Sequence, residues 1–389
     1  MLTAEVHWTD ASGRLHRAGT LREIGAIGLQ QFEYHPDWLD SHAFDLGEGL
    51  PVGRGPLLPP GGATEFGLFA DAAPDAWGRR VLARKLTPPP RTPTARLLGA
   101  ADATRQGALR FVTEPGGSPV SDGGAAPLNY LEGLRQEVRD FQAGDDGPGE
   151  FSKLLRAGTS QGGFRPKAVV ADEAGALWIA KFPAETDTYD VETCEAAALH
   201  VAREAGLAVP DFRHVRVDAD RAILLVRRFD RNATGRHGYQ SLRTASRLGP
   251  FDDLDYTMAA RVSGFLCGAA GLRAVVAAAA LNMAVNNIDD HSRNTGFLQD
   301  QKGQWMPAPM FDIVPYPGAG SGTPLVQGSE RSLGQLQDLE WGIPRAEVAD
   351  IVGRVVSAAV TLYPVAVDSF GLDPEFAETA EGRRRAIMG

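Results

Sequence analysis

The chain has 389 residues, 43% of them hydrophobic and 23% charged, which are proportions of a soluble globular protein with room for two or three domains. Its 49 acids against 39 bases leave a net charge of −10, which excludes a broad nucleic-acid-gripping surface, because phosphate binding needs clustered Lys and Arg. The two cysteines, Cys194 and Cys267, have neither zinc-site spacing nor the numbers for a disulfide framework, so a reduced, cytoplasmic setting is expected.

The amino terminus lacks the basic-then-apolar order of a signal peptide. Residues 1–112 read as an N-terminal mixed α/β domain. Strands at 5–8 and 13–19 meet at a glycine-containing turn, and an alternating segment at 28–34 stops at His35-Pro36. A Pro/Gly-rich loop covers 50–62, and a helix follows Pro74 with Asp75 complementing its dipole. Arg79 and Arg80 belong to its solvated face. An extended Leu86-Thr87-Pro88-Pro89-Pro90 spacer follows, then residues 97–99 and a strand at 107–112 that closes the domain. Residues 113–150 read as a Gly/Pro-rich connector around one short helix at 128–141. No internal repeat occurs.

Residues 151–249 read as a strand-rich lobe. The loop Gly158-Thr159-Ser160-Gln161-Gly162-Gly163-Phe164-Arg165-Pro166-Lys167 brings backbone amides close to a phosphate, because glycine adds no side-chain bulk. It is not a Walker A loop, since no Gly-Lys-Ser/Thr follows, and a plain turn is the competing reading. Strands at 168–171 and 177–182 come next. Alternation puts Lys181 in one row with Leu177 and Ile179, where an ammonium needs an anion; the bland alternative is a lysine snorkelling at a strand end. A helix at 191–205, ended by Gly206, offers Glu192 and Glu195 as partners for that lysine, and Glu195 is favoured. The strand from 222 breaks into Arg227-Arg228-Phe229-Asp230-Arg231. It suits a hinge that contacts adenine, with Val226, Arg228 and Phe229 as ATP-binding residues; a surface ion-pair cluster is the alternative.

Residues 250–389 read as a helical lobe, with helices at 254–267, 272–285, 333–339 and 345–363. The Ala-rich stretch at 269–285 contains Arg273 and Asn282 and reads as a buried helix, with no membrane span expected. The run from Asn286 to Gly296 is too polar to continue into the core, so it lines a cleft. Asp289 and Asn294 stand five positions apart, as do the catalytic Asp and metal-binding Asn of protein kinases, and Asp312 follows in an apolar setting. One acid to orient a hydroxyl, with an amide and a second acid for Mg2+, is what phosphoryl transfer asks of a protein. Alone, such residues also cap helices and turns, and the ordered glycine loop, lysine and glutamate upstream are what favour the kinase reading. Asp289-Asp290-His291 would suit a metal hydrolase only with further histidines at helical spacing, and the other seven are scattered.

Taken together, these motifs resemble HipA-type serine/threonine kinases, the toxin half of HipBA modules. Asn287-Ile288-Asp289-Asp290-His291-Ser292-Arg293-Asn294 is similar to their N-x-D-x-H-x-K-N stretch. Pro309-Met310-Phe311-Asp312 resembles their metal-binding segment, Ser160 to Lys167 their S-x-G-G-A-R-P-K loop, and Arg228-Phe229-Asp230-Arg231 their hinge-adjacent motif. Asp102, Gly107-Ala108-Leu109 and Phe111 resemble the end of their amino-terminal domain. Departures are Arg293 for lysine, Arg227 for glutamate and Phe164 for a small loop residue.

The resemblance implies an α+β, protein-kinase-like two-lobe fold with an additional small mixed α/β N-terminal domain. It implies ATP and Mg2+ as cofactors, Asp289 as the acid acting on the substrate hydroxyl, and Asn294 and Asp312 as metal ligands. Lys181 would meet ATP phosphates, and Ser160 would be an autophosphorylation site. His291 would support the loop, a core or capping role being the alternative. The implied substrate is a protein of translation such as an aminoacyl-tRNA synthetase. The implied partner is a small helix-turn-helix, HipB-like antitoxin through which DNA is met indirectly. The rivals are a small-molecule kinase of the aminoglycoside-phosphotransferase kind and a pseudokinase corepressor.

Overall fold

Alternating burial along residues 3–34 produces the first sheet: β1 (Thr3–Thr9), β2 (Leu15–Ile24) and β3 (Leu29–Tyr34), joined later in the chain by β4 (Leu109–Val112). All pairs are antiparallel, in the order β3-β2-β1-β4. Trp8, Phe32, Trp38, Phe69 and Phe111 fill one core against it, with Trp8 and Trp38 edge-on at 5.9 Å. The computed structural model describes residues 2–388 apart from 115, 118, 120–123, 145–152, 159–164, 220, 249–251, 253 and 330.

The chain divides into two compact units. Unit 1 is Met1–Glu185 with Arg227–Gln240 and Leu298–Gln304; unit 2 is Thr186–Val226 with Ser241–Phe297 and Trp305–Gly389. In unit 1, residues 93–99 form a helix capped by the Thr92 hydroxyl. The stretch 113–150, expected as a connector, supplies β5 (Ala126–Pro127), which runs parallel to β6 (Lys167–Ala171). β6 in turn pairs antiparallel with β7 (Leu177–Lys181). The expected short helix is Leu131–Ala143, and its Phe141 meets Trp77 at 5.3 Å. Trp77 also donates its Nε1–H to the Lys167 carbonyl at 2.8 Å, which ties the helix Ala76–Lys85 to β6.

Unit 2 contains the helix Val191–Glu204, N-capped by Asp190, and the antiparallel pair β8 (Phe212–Arg216) and β9 (Ala222–Arg227), whose last residue leaves the unit. The helix Tyr256–Ala284 is broken at Gly268, where φ 58 and ψ −143 suit glycine alone. Close approach explains a second glycine: a Cβ on Gly271 would stand 2.0 Å from the Ser263 carbonyl oxygen. Val275, Val276, Ala279 and Ala280 are buried in one core with Val348, Ile351, Val352 and Val355 of the helix Arg345–Ala359. That helix ends sooner than expected, and Leu362–Asp368 is separate. A last helix, Pro374–Met388, was not anticipated from the sequence. Tyr256–Ala284 and the stretch Arg345–Asp368 are long and apolar enough to cross a bilayer by length and composition. The break at Gly268 and the buried Asn282 fit the first as a core helix instead. Within β10 (Gly238–Ser241) and β11 (Gly296–Gln299) the chain changes unit, and it returns to unit 2 at β12 (Trp305–Pro307).

Candidate active site

Unit 2 builds a polar loop from the end of the helix Tyr256–Ala284. Asn286 takes the left-handed conformation (φ 55) that asparagine tolerates, and its Nδ2 donates to the carbonyls of Tyr316 (2.6 Å) and Gly318 (3.0 Å). Asn287 then turns inward to 1% exposure, donating through Nδ2 to Asn282 Oδ1 at 3.0 Å. Its own Oδ1 accepts the Asp289 amide at 3.2 Å. With the backbone held beneath, the Asp289 side chain points to solvent, 78% exposed. A group that must meet an incoming hydroxyl needs such access.

Asn294 Nδ2 donates to the Asp289 carbonyl at 2.8 Å. That bond joins the two residues singled out by their spacing and commits the nitrogen end of the amide, so Oδ1 is the end suited to a cation. Asn294 and Asp312 line one pocket together with Asn282, Asn287, Asp290 and Phe297. Asp312 sits at φ 59, in the left-handed region that few side chains other than Asp and Asn accept. An amide oxygen and a carboxylate are hard oxygen ligands of the kind Mg2+ takes while keeping several waters, so this donor pair fits the ion. Among the described residues, no three His, Cys, Asp or Glu side chains converge as a ligand set. His291 is 52% exposed with Nε2 3.9 Å from Asp289 Oδ1, which is not a core position.

Sequence reasoning missed the support beneath the loop. Asp290 is 8% exposed and accepts from the Tyr256 hydroxyl (2.6 Å), the Thr323 amide (2.7 Å) and Arg331 Nη2 (3.0 Å). Tyr256 also accepts from Asn282 Nδ2 at 2.9 Å, and Arg331 donates to the Asn287 carbonyl at 3.1 Å. Burial and then the Asp290 charge push the Tyr256 phenol well above its ordinary value, so it stays a hydroxyl donor. The one local signal was that Asp290, next to an exposed acid, must point elsewhere.

The remaining predicted residues divide between the units. Glu195 (2% exposed) lies in the helix Val191–Glu204 and Val226 in β9, both in unit 2. Glu192, at 1%, is buried as deeply as Glu195, so burial does not choose between them. Lys181 ends β7 in unit 1 at 8% exposure, directly opposite Lys167. Phe229 is half-buried. Arg228 is buried and donates to Asp230 Oδ1 and Oδ2 (2.8 and 2.6 Å) and to the carbonyls of Thr104 and Arg105. Its guanidinium therefore fastens residues 102–107 of unit 1, and the Arg228-Asp230-Arg231 cluster is internal, not the surface cluster weighed as the alternative. Ser160, Gly162 and Gly163 lie outside the described residues, as does Phe164.

Residues 159–363 match the family model of the HipA-like C-terminal domain, and residues 9–112 match that of the HipA N-terminal domain. No curated protein gives a match. Among solved structures, HipA of Shewanella oneidensis MR-1, in a toxin–antitoxin complex with HipB and operator DNA, is similar with a TM-score of 0.70 and 17% identity. The likeness covers 99% of this chain and 96% of that one, and it shows a shared fold. A Helicobacter pylori proinflammatory kinase, CtkA, gives a TM-score of 0.43 at 12% identity over 57% of this chain and 89% of its own, too distant to carry an argument.

Proposed function

The chain belongs to the HipA family, and on that footing we propose that it is an ATP- and Mg2+-dependent serine/threonine kinase acting as the toxin of a toxin–antitoxin pair. The observation that carries this reading is that Asn294, bonded to the Asp289 carbonyl, lines one pocket with Asp312. Asp289 accepts the proton of the substrate hydroxyl as its oxygen attacks the γ-phosphorus of ATP and the bond to ADP breaks. Asn294 and Asp312 would hold Mg2+, which when bound neutralises charge on the phosphates. Thr295 to Phe297 carry the loop on into β11, and the Leu242 amide holds its end through the Thr295 carbonyl at 2.8 Å.

The kinase-like reading of the fold, with a strand-rich and a helical lobe, goes with this proposal. The substrate is a protein of translation such as an aminoacyl-tRNA synthetase, and the site of action is the cytoplasm. The partner is a small helix-turn-helix antitoxin, with DNA met only through it. The test is transfer of label from γ-labelled ATP to protein, by wild type and by Asp289→Asn, with and without EDTA. Transfer that needs Mg2+ and disappears in Asp289→Asn is expected. Equal transfer by the two proteins, or transfer only to small metabolites, would overturn the reading.

A further inference from the structure

We infer that Asp290 is the positioning residue of the catalytic loop, working as the latch by which Thr323 and Arg331 hold Asp289 and Asn294 in register. The inference rests on the kinase reading above and adds a device to it. Three donors from two distant segments converge on one buried carboxylate: Tyr256 from the long helix, and the Thr323 amide and Arg331 from the stretch beyond Asp312. Thr323 closes the latch from its other side, donating its hydroxyl to the Asp290 carbonyl at 2.8 Å. The Asp290 side chain is 3% exposed and that of Arg331 14%. A buried charge pair of this kind is costly to break from one side, so loss of either partner loosens what the other holds.

The connection to Asp289 is explicit. Arg331 donates to the Asn287 carbonyl, Asn282 bridges Tyr256 to the Asn287 amide, and Asn287 Oδ1 accepts the Asp289 amide. Loss of the latch therefore frees the residue that aims the exposed acid, while Asn294 and Asp312 keep their own oxygens. Gly322 shows how closely the parts fit: a Cβ there would stand 1.7 Å from Arg331 Nη1 and 2.6 Å from Asp290 Oδ1. A side chain at 322 would require the Arg331 guanidinium or the Asp290 carboxylate to shift from its place in the latch.

The experiment uses full-length protein and three variants. Asp290→Asn keeps the shape and turns an amide NH2 against a donor. Gly322→Ala displaces Arg331 without deleting a charge. Arg331→Lys keeps the charge and loses the second bond. Steady-state kinetics against ATP should show kcat down by about 10- to 100-fold in the first two, with KM for ATP within about threefold of wild type. Arg331→Lys should recover part of kcat, and amides of 287–294 should exchange faster in the two latch variants. Wild-type kcat in folded Asp290→Asn and Gly322→Ala would overturn the inference. So would a loss that merely follows the unfolded fraction measured by circular dichroism. Amide exchange separates the two levels: if Asp289→Asn leaves transfer intact, the kinase reading fails, while faster exchange in Asp290→Asn still upholds the latch.

Discussion

Changing Asp230 to Asn would leave two guanidinium groups inside unit 1 without their counter-charge. Asp230 is 2% exposed; its Oδ2 accepts from Arg228 (2.6 Å), Arg231 (2.7 Å) and the Gly107 amide (2.7 Å), and its Oδ1 accepts from Arg228 Nε. An asparagine presents NH2 to at least one of these donors. Breaking a buried pair from one side costs about 3–5 kcal/mol. Carbonyls of Thr104, Arg105 and Gly107 also hold the two arginines, so the low end, about 3 kcal/mol, is expected. Four of the six tryptophans, Trp8, Trp38, Trp77 and Trp178, belong to unit 1, so urea unfolding followed by fluorescence reports on it. With a slope of about 3 kcal/mol/M, the midpoint should fall by about 1 M. Acid supplies a second check. Burial would raise the Asp230 carboxyl, and the Arg228 and Arg231 charges outweigh it and hold the group well below its ordinary 3.8. Its contribution is thus complete above that value and is lost as pH falls through the lowered one, so the gap between variant and wild type should narrow only below pH 3.8. A midpoint unchanged within about 0.2 M at neutral pH would refute the reasoning.

If Lys181 meets ATP phosphates as the family resemblance implies, Lys181→Ala should weaken ATP binding by about tenfold or more, the worth of a charge-assisted bond, as read by calorimetric titration; unchanged affinity would refute that role. Asp312→Asn should raise the Mg2+ concentration for half-maximal transfer by about tenfold, and a metal titration that superimposes on wild type would assign the ion elsewhere. Gly271→Ala should cost about 1–3 kcal/mol in thermal unfolding, because the carbonyl its Cβ meets belongs to backbone that cannot swing aside; an unchanged transition would mean that the helix break relaxes freely.

What the sequence revealed and what it hid follow from the range of the interactions. Alternation made β1 to β3, β6 and β7 legible, because a strand's face is decided by residues two apart. The break near Gly268 and the polar loop at 286–296 were likewise local, and the Asp289–Asn294 spacing became a bond from side chain to backbone. The helix Pro93–Gly99 carries local signals, Thr92 as cap and Pro93 at the first turn, and so does Pro374–Met388 with Asp373 before its proline. Other features had no local signal. The latch joins Asp290 to residues 34 positions before it and 41 after it. Besides Asp230, buried Arg228 is received by carbonyls 123 and 124 positions upstream. No window of sequence contains such pairs, so Arg228 reads equally as a hinge residue or as part of a surface ion-pair cluster, and Asp290 as one more polar residue of a cleft-lining run.

The stretch from 113 to 150 has the composition at which a protein is ordinarily cut, yet the residues before it share one compact unit with chain as late as Gln304. The Arg236 amide donates to Asp10, Gln240 accepts the Glu48 amide, Gln299 reaches the Asp45 carbonyl, and Arg228 clasps Thr104. A fragment stopping after residue 112 would leave each of these behind and bare the core they close. Unit 1 is stitched from three lengths of chain, and the last of them is made long after the first. During synthesis the early strands can pair by residue 112, but the bonds that late residues make to Asp10, Asp45, Glu48 and Thr104 come only afterwards, and a designer who wishes to transplant this region must carry those returning threads with it.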